Sequence, residues 1–87
     1  MKYRIYLTRR ADKELKKLPP NTKERIEEKI EELSFNPLPG GAAKLIGLKD
    51  AYRIRTGNYR ILYRVYWKER MVVVFRIAMR KKAYRAL

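Results

Sequence analysis

An α+β fold follows from three observations on the sequence. One opening stretch alternates apolar and polar residues with period two. Two further stretches place apolar residues at helical spacing. Nearly everything after residue 42 reads as strands separated by turns. At 87 residues the chain is expected to form one small domain spanning 1–87. The expected order is an N-terminal strand, a helical hairpin, and an antiparallel β-meander with the helices packed on one face.

The opening "KYRIYLT" sets Tyr3, Ile5 and Leu7 on one side and Lys2, Arg4 and Tyr6 on the other, as a strand requires. Thr8 suits the cap of a helix starting near Arg9, with Ala11, Leu15 and Leu18 on one stripe. Pro19-Pro20 breaks that helix. The second helix has Asn21 and Glu24 at capping-box spacing and buries Ile26, Ile30 and Leu33. Its other faces interleave five acids with Lys23, Arg25 and Lys29, a pattern expected of a solvated face with i,i+4 pairs. "SFNPLPGG" is a loop, since its prolines and glycines suit neither helix nor central strand. "AAKLIGL" reads as a short strand. A hairpin then turns at Gly57-Asn58, and a second turn at Lys68-Glu69-Arg70 leads into "MVVVFRI". The latter is apolar at nearly every position and is expected to be a central strand. The tail is basic.

Charge is the outlying property. The net charge is +14, and it is lopsided. Residues 1–42 carry ten bases and seven acids, whereas residues 43–87 carry thirteen bases and only Asp50 and Glu69. Such a basic half is a footprint for nucleic acid, an anionic membrane or an acidic protein. The absence of Cys and His removes disulfides, zinc sites built from those residues and any Ser-His or Cys-His relay. No cofactor and no metal are expected. No apolar run approaches a membrane span and nothing reads as a signal peptide, so a cytoplasmic protein without membrane contact is expected.

The excess concentrates on the hairpin "YRIRTGNYRILYRVYW". A two-residue turn puts Arg55 opposite Arg60 and Arg53 opposite Leu62. A three-residue second turn pairs Tyr66 with Val72, Arg64 with Val74 and Leu62 with Arg76. Arg53, Arg55, Arg60, Arg64 and Arg76 then share one face. Tyr52, Ile54, Tyr59, Ile61, Tyr63, Val65, Val73, Phe75 and Ile77 fall on the other, beneath the helices. The bland alternative is the wet side of a half-buried sheet. Such sides mix signs and use Thr or Ser, while here one sign dominates. Like charges facing each other across strands destabilise a sheet, so an anion is expected between them. Arginine's planar fork suits phosphate. Tyr66, Trp67 and Tyr84 are placed to stack on bases, as single-stranded RNA sites require, whereas Tyr59 and Tyr63 belong to the core. A basic sheet argues against a duplex major-groove reader.

"LKDAYRIRTGNYRILYRV", an apolar strand and then "RIAMRKKAYR" resemble the RelE toxins of toxin–antitoxin pairs, and the likeness runs the length of the chain. The resemblance implies a ribonuclease that enters the ribosomal A site and cleaves mRNA there. The ribose 2′-OH attacks the adjacent phosphate and leaves a 2′,3′-cyclic phosphate. It also implies a RelB-like antitoxin that covers the basic surface, with operator DNA bound only through the complex. By resemblance the catalytic residues are Arg53, Arg55, Arg60, Arg80 and Tyr84. Arg53 and Arg55 fall where the family commonly has lysines, Arg60 on the arginine that starts the long strand, and Met79 where many relatives carry histidine. Arg64, Arg76, Lys81, Lys82 and Lys49 are expected to contact RNA. Arginine cannot act as a base, which leaves the proton acceptor open among Lys81, Lys82, Tyr84 and a ribosomal group. Two other readings remain: a ParE-like gyrase inhibitor of the same fold, and a catalytically inactive RNA- or ribosome-binding module.

Overall fold

The computed structural model describes residues 2–80. The elements are β1 (Arg4–Leu7), α1 (Arg9–Lys16), α2 (Pro20–Phe35), β2 (Ala43–Lys44), β3 (Ala51–Thr56), β4 (Tyr59–Tyr66) and β5 (Met71–Met79). The five strands form one sheet in the order β1-β5-β4-β3-β2. β2 to β5 are the expected antiparallel meander. β1 adds in parallel to β5, from Arg4 beside Met71 to Leu7 beside Val74. The sheet is therefore mixed: the helical hairpin carries the chain from β1 at one edge to β2 at the other, and the meander then returns to set β5 beside β1.

Both helices start as local chemistry dictates, though not both as expected. Thr8 is extended and its Oγ1 accepts the Ala11 N–H at 3.2 Å, which caps α1. α2 begins at Pro20 behind Pro19, with no side-chain cap, so Asn21 and Glu24 form no capping box. Proline at the first helical position has no N–H to satisfy and a φ already helical, so it replaces the cap. Ala11, Leu15, Ile26, Ile30 and Leu33 pack on Ile54, Ile61, Tyr63, Val65, Val72, Val74 and Ile77 to form the main core. The Tyr63 hydroxyl donates to the Pro37 carbonyl at 2.7 Å and ties the loop after α2 to the sheet.

The hairpin register is the expected one, with Arg55 opposite Arg60 and Arg53 opposite Leu62. The β4–β5 register is not. The connection is the four-residue turn Trp67 to Arg70, so Tyr66 pairs with Met71 and Arg64 with Val73. A bulge at Phe75 then restores Leu62 opposite Arg76. Val72 and Val74 consequently enter the helix-side core, while Val73 and Phe75 turn to the open face, the reverse of expectation.

Candidate active site

The open face of the sheet is not a uniform arginine lawn. Leu45, Ala51, Leu62 and Ala78 form a second, smaller core there, with Leu48 and Phe75 packed against it. The loop from Leu45 to Asp50 folds over this patch, and the Leu45 N–H donates to the Ala51 carbonyl at 2.8 Å. Around the patch lie the cations. β3 supplies Arg53 and Arg55, and β4 supplies Arg60 and Arg64. Arg60 pairs with Ala78, whose small side chain leaves room beside it, and is only 3% exposed.

Arg80 follows the last strand. Its N–H donates to the Asn58 carbonyl at 3.1 Å, so it sits at the hairpin-turn end, beside the strand positions of Arg55 and Arg60. Turn geometry allows this meeting: Gly57 adopts φ +61°, the left-handed region that glycine enters without a Cβ penalty. The structure thus gathers Arg55, Arg60 and Arg80 at one end of the open face, with Arg53 two residues along β3 and Arg64 four along β4. Lys49 lies in the covering loop and shares a cleft with Arg64. Tyr84, Lys81 and Lys82 lie outside the described residues.

Arg76 is placed otherwise. Its Nε donates to Glu14 Oε2 at 2.9 Å, and it is 7% exposed. It occupies the expected open-face position opposite Leu62, but its charge is matched within the fold. Glu14 is a residue the sequence reading did not single out. The signal was present, since Glu14 sits on the stripe of Ala11, Leu15 and Leu18, where a carboxylate needs a reason. Among the other aromatics, Trp67 meets Tyr3 edge-on at 6.1 Å, and Tyr66 keeps 37% of its surface exposed. Tyr63 is buried, and burial with Tyr52 alongside pushes its hydroxyl far above the ordinary tyrosine range.

Chemically, this end of the sheet offers several guanidinium forks, and β3 and β4 bring no carboxylate into their sequence. That suits the two flanking oxygens and the extra charge of a phosphate under attack.

A sequence profile described as "ParE toxin of type II toxin-antitoxin system, parDE" matches residues 5–84. The chain belongs to the RelE/ParE toxin family. Within that family, four curated relatives that span nearly the whole chain carry the RelE name. It is 36% identical over 84 residues to the mRNA interferase toxin RelE of Escherichia coli K12, spanning 94% of this chain and 85% of that one. It is 34% identical over 86 residues to toxin RelG of Mycobacterium tuberculosis, spanning 98% and 99%. The archaeal RelE of the RelE–RelB complex from Pyrococcus horikoshii superposes with a TM-score of 0.82 at 31% identity, over 94% of this chain and 99% of that one. A RelE-type toxin of the RelE/ParE superfamily therefore has this α+β architecture.

Proposed function

We propose that this RelE-type toxin is an endoribonuclease that cleaves mRNA in the ribosomal A site and is held inactive by a RelB-like antitoxin in the cytoplasm. The observation that carries the reading is the convergence of Arg55, Arg60 and Arg80 at the turn end of the β3–β4 hairpin, on a face to which β3 and β4 contribute only positive charge. The names of the full-length relatives support it: one is called an mRNA interferase, and one solved relative is held in complex with RelB.

In the reaction, the 2′-oxygen gives up its proton and bonds to phosphorus. The bond from phosphorus to the 5′-oxygen breaks, and that oxygen takes up a proton. Arg60 and Arg80 grip the scissile phosphate and stabilise the pentavalent state, while Arg53 and Arg55 hold flanking phosphates. Tyr84 orients the cleaved nucleotide. Because arginine stays charged, the two β3 positions stabilise charge and do not take the proton.

The test is a ribosome programmed with a defined mRNA and an empty A site, with cut ends mapped by primer extension and free mRNA alongside. A cut inside the A-site codon, absent on free mRNA, is the expected result. Intact mRNA on ribosomes that still bind the protein would reject the nuclease. The family profile's ParE description makes DNA gyrase inhibition the second assay to run on the same preparation.

A further inference from the structure

Beyond the cluster at the turn end, the open face holds a cleft of about 570 Å³ where the Leu45–Asp50 loop meets β4 and β5. Ile46 and Leu48 from the loop and Val73 and Phe75 from β5 line it together with Arg64 and Tyr66 of β4 and with Thr8. No carboxylate is among the described residues lining it. Ile46 is fully exposed at its rim. The Nε of Arg64 is buried and has no hydrogen-bond acceptor. Arg64 itself is only half-buried and lines the cleft, so its guanidinium presents donors there although Nε is shielded.

We infer that this cleft receives the base of a nucleotide flanking the cut, with Arg64 donating to the acceptor edge of that base. The inference rests on the ribonuclease reading and adds a subsite to it. Three features of the cleft point to a base. Its size suits a single nucleotide. Aromatic and aliphatic walls suit a flat, weakly hydrated ring, and Tyr66 and Phe75 offer ring surfaces of the kind on which bases stack. Its polar groups are the Thr8 and Tyr66 hydroxyls and the Arg64 guanidinium, a planar fork of the kind that guanine engages with O6 and N7 together.

Continuity with the arginine row fixes which molecule enters. Arg60 and Arg64 lie on the same face of the same strand, four residues and so about 13 Å apart. An RNA strand gripped at Arg60 therefore passes the cleft mouth within a nucleotide or two. An acidic peptide also fits an arginine among apolar walls, but this continuity favours the strand already held at Arg60.

The experiment uses the whole protein and four uncleavable 2′-O-methyl hexanucleotides that differ in a single internal base, read by fluorescence anisotropy. Wild type should bind the guanine oligonucleotide about tenfold more tightly than the other three. Arg64→Ala should bind all four alike, and so should Arg64→Lys, since the ammonium retains charge without the fork. Tyr66→Ala, at a partly exposed position, should weaken all four together. Melting curves on each variant separate lost binding from lost folding.

Equal wild-type affinities would overturn the inference, as would an Arg64→Ala loss shared evenly by all four sequences, which marks a phosphate contact only. RNA binding unchanged in Arg64→Ala, with weakened binding of the antitoxin, would also overturn it and give the cleft to a protein segment. Cleavage on programmed ribosomes is measured in parallel. Cutting without base preference sinks the subsite and leaves the nuclease standing, and preference without cutting does the reverse.

Discussion

Glu14 on α1 holds the outer edge of β5 through two neighbouring residues at once: Oε2 accepts Arg76 Nε at 2.9 Å and Oε1 accepts the Ile77 N–H at 2.8 Å. β1 covers the β5 edge only as far as Val74, so beyond that point a helix carboxylate replaces the missing strand. Arg10 adds a longer contact of 3.7 Å from one turn earlier in α1. Removing one partner of a buried pair leaves the other uncompensated. Glu14→Ala is therefore expected to destabilise the fold by about 3 kcal/mol. Urea unfolding checks this, and a loss within 0.5 kcal/mol of zero would show that water replaces the carboxylate at no cost.

Arg60, opposite Ala78, is only 3% exposed, so its guanidinium is oriented before any substrate arrives. Preorganised donors of that kind are worth on the order of 10²-fold or more in rate each. Arg60→Ala should lower single-turnover cleavage on programmed ribosomes by at least that factor, at a thermal midpoint that still leaves the protein folded at assay temperature. Cleavage at the wild-type rate would remove Arg60 from the site.

The arginines of β3 make a pH prediction possible. A lysine placed among other cations has its pKa lowered and becomes able to accept a proton, while an arginine in the same place does not. Arg55→Lys should therefore give a cleavage rate that climbs with rising pH as the new amine loses its proton, more steeply than wild type. Superimposable pH profiles would show that the proton acceptor lies elsewhere and is already sufficient.

Tyr63 predicts an alkaline weakness. Its hydroxyl resists ionisation in the folded protein, mainly through burial and secondarily through Tyr52, whereas in the unfolded chain it ionises near 10.0. A raised folded value means that the stabilisation is complete below pH 10 and is lost as pH rises beyond it, because ionisation then favours the unfolded chain. Tyr63→Phe should cost about 1 kcal/mol at neutral pH, through the lost bond to the Pro37 carbonyl. That deficit should shrink above pH 10. A deficit constant from pH 7 to 11 would contradict the assignment.

How much of this was legible in the sequence depended on local contrast. The β3–β4 register was readable because Gly57-Asn58 marks the turn and apolar and charged residues alternate on both sides of it. The β5 register was not, because residues 71–75 are apolar throughout. A strand with no polar phase is equally consistent with both one-residue registers, and only the four-residue turn and the bulge at Phe75 decide between them. The arginine face was legible as a set, but the burial of Arg60 and Arg76 was not. One sits opposite the small Ala78 on the neighbouring strand, and the other meets an acid 62 residues away. Glu14 could have been noticed from its place on the apolar stripe, but its partners could not.

The parallel pairing of β1 with β5 has a consequence for how the toxin is made. Arg4 lies beside Met71, so the first strand synthesised waits for the last before it has a neighbour. Contacts that far apart in sequence form slowly, because loop closure precedes any return from pairing. While the chain is still emerging, Arg60 lacks Ala78 beside it and Arg80 lacks its anchor on Asn58. A ribosome translating this message therefore has residues up to Met79 in place before Arg55, Arg60 and Arg80 come together.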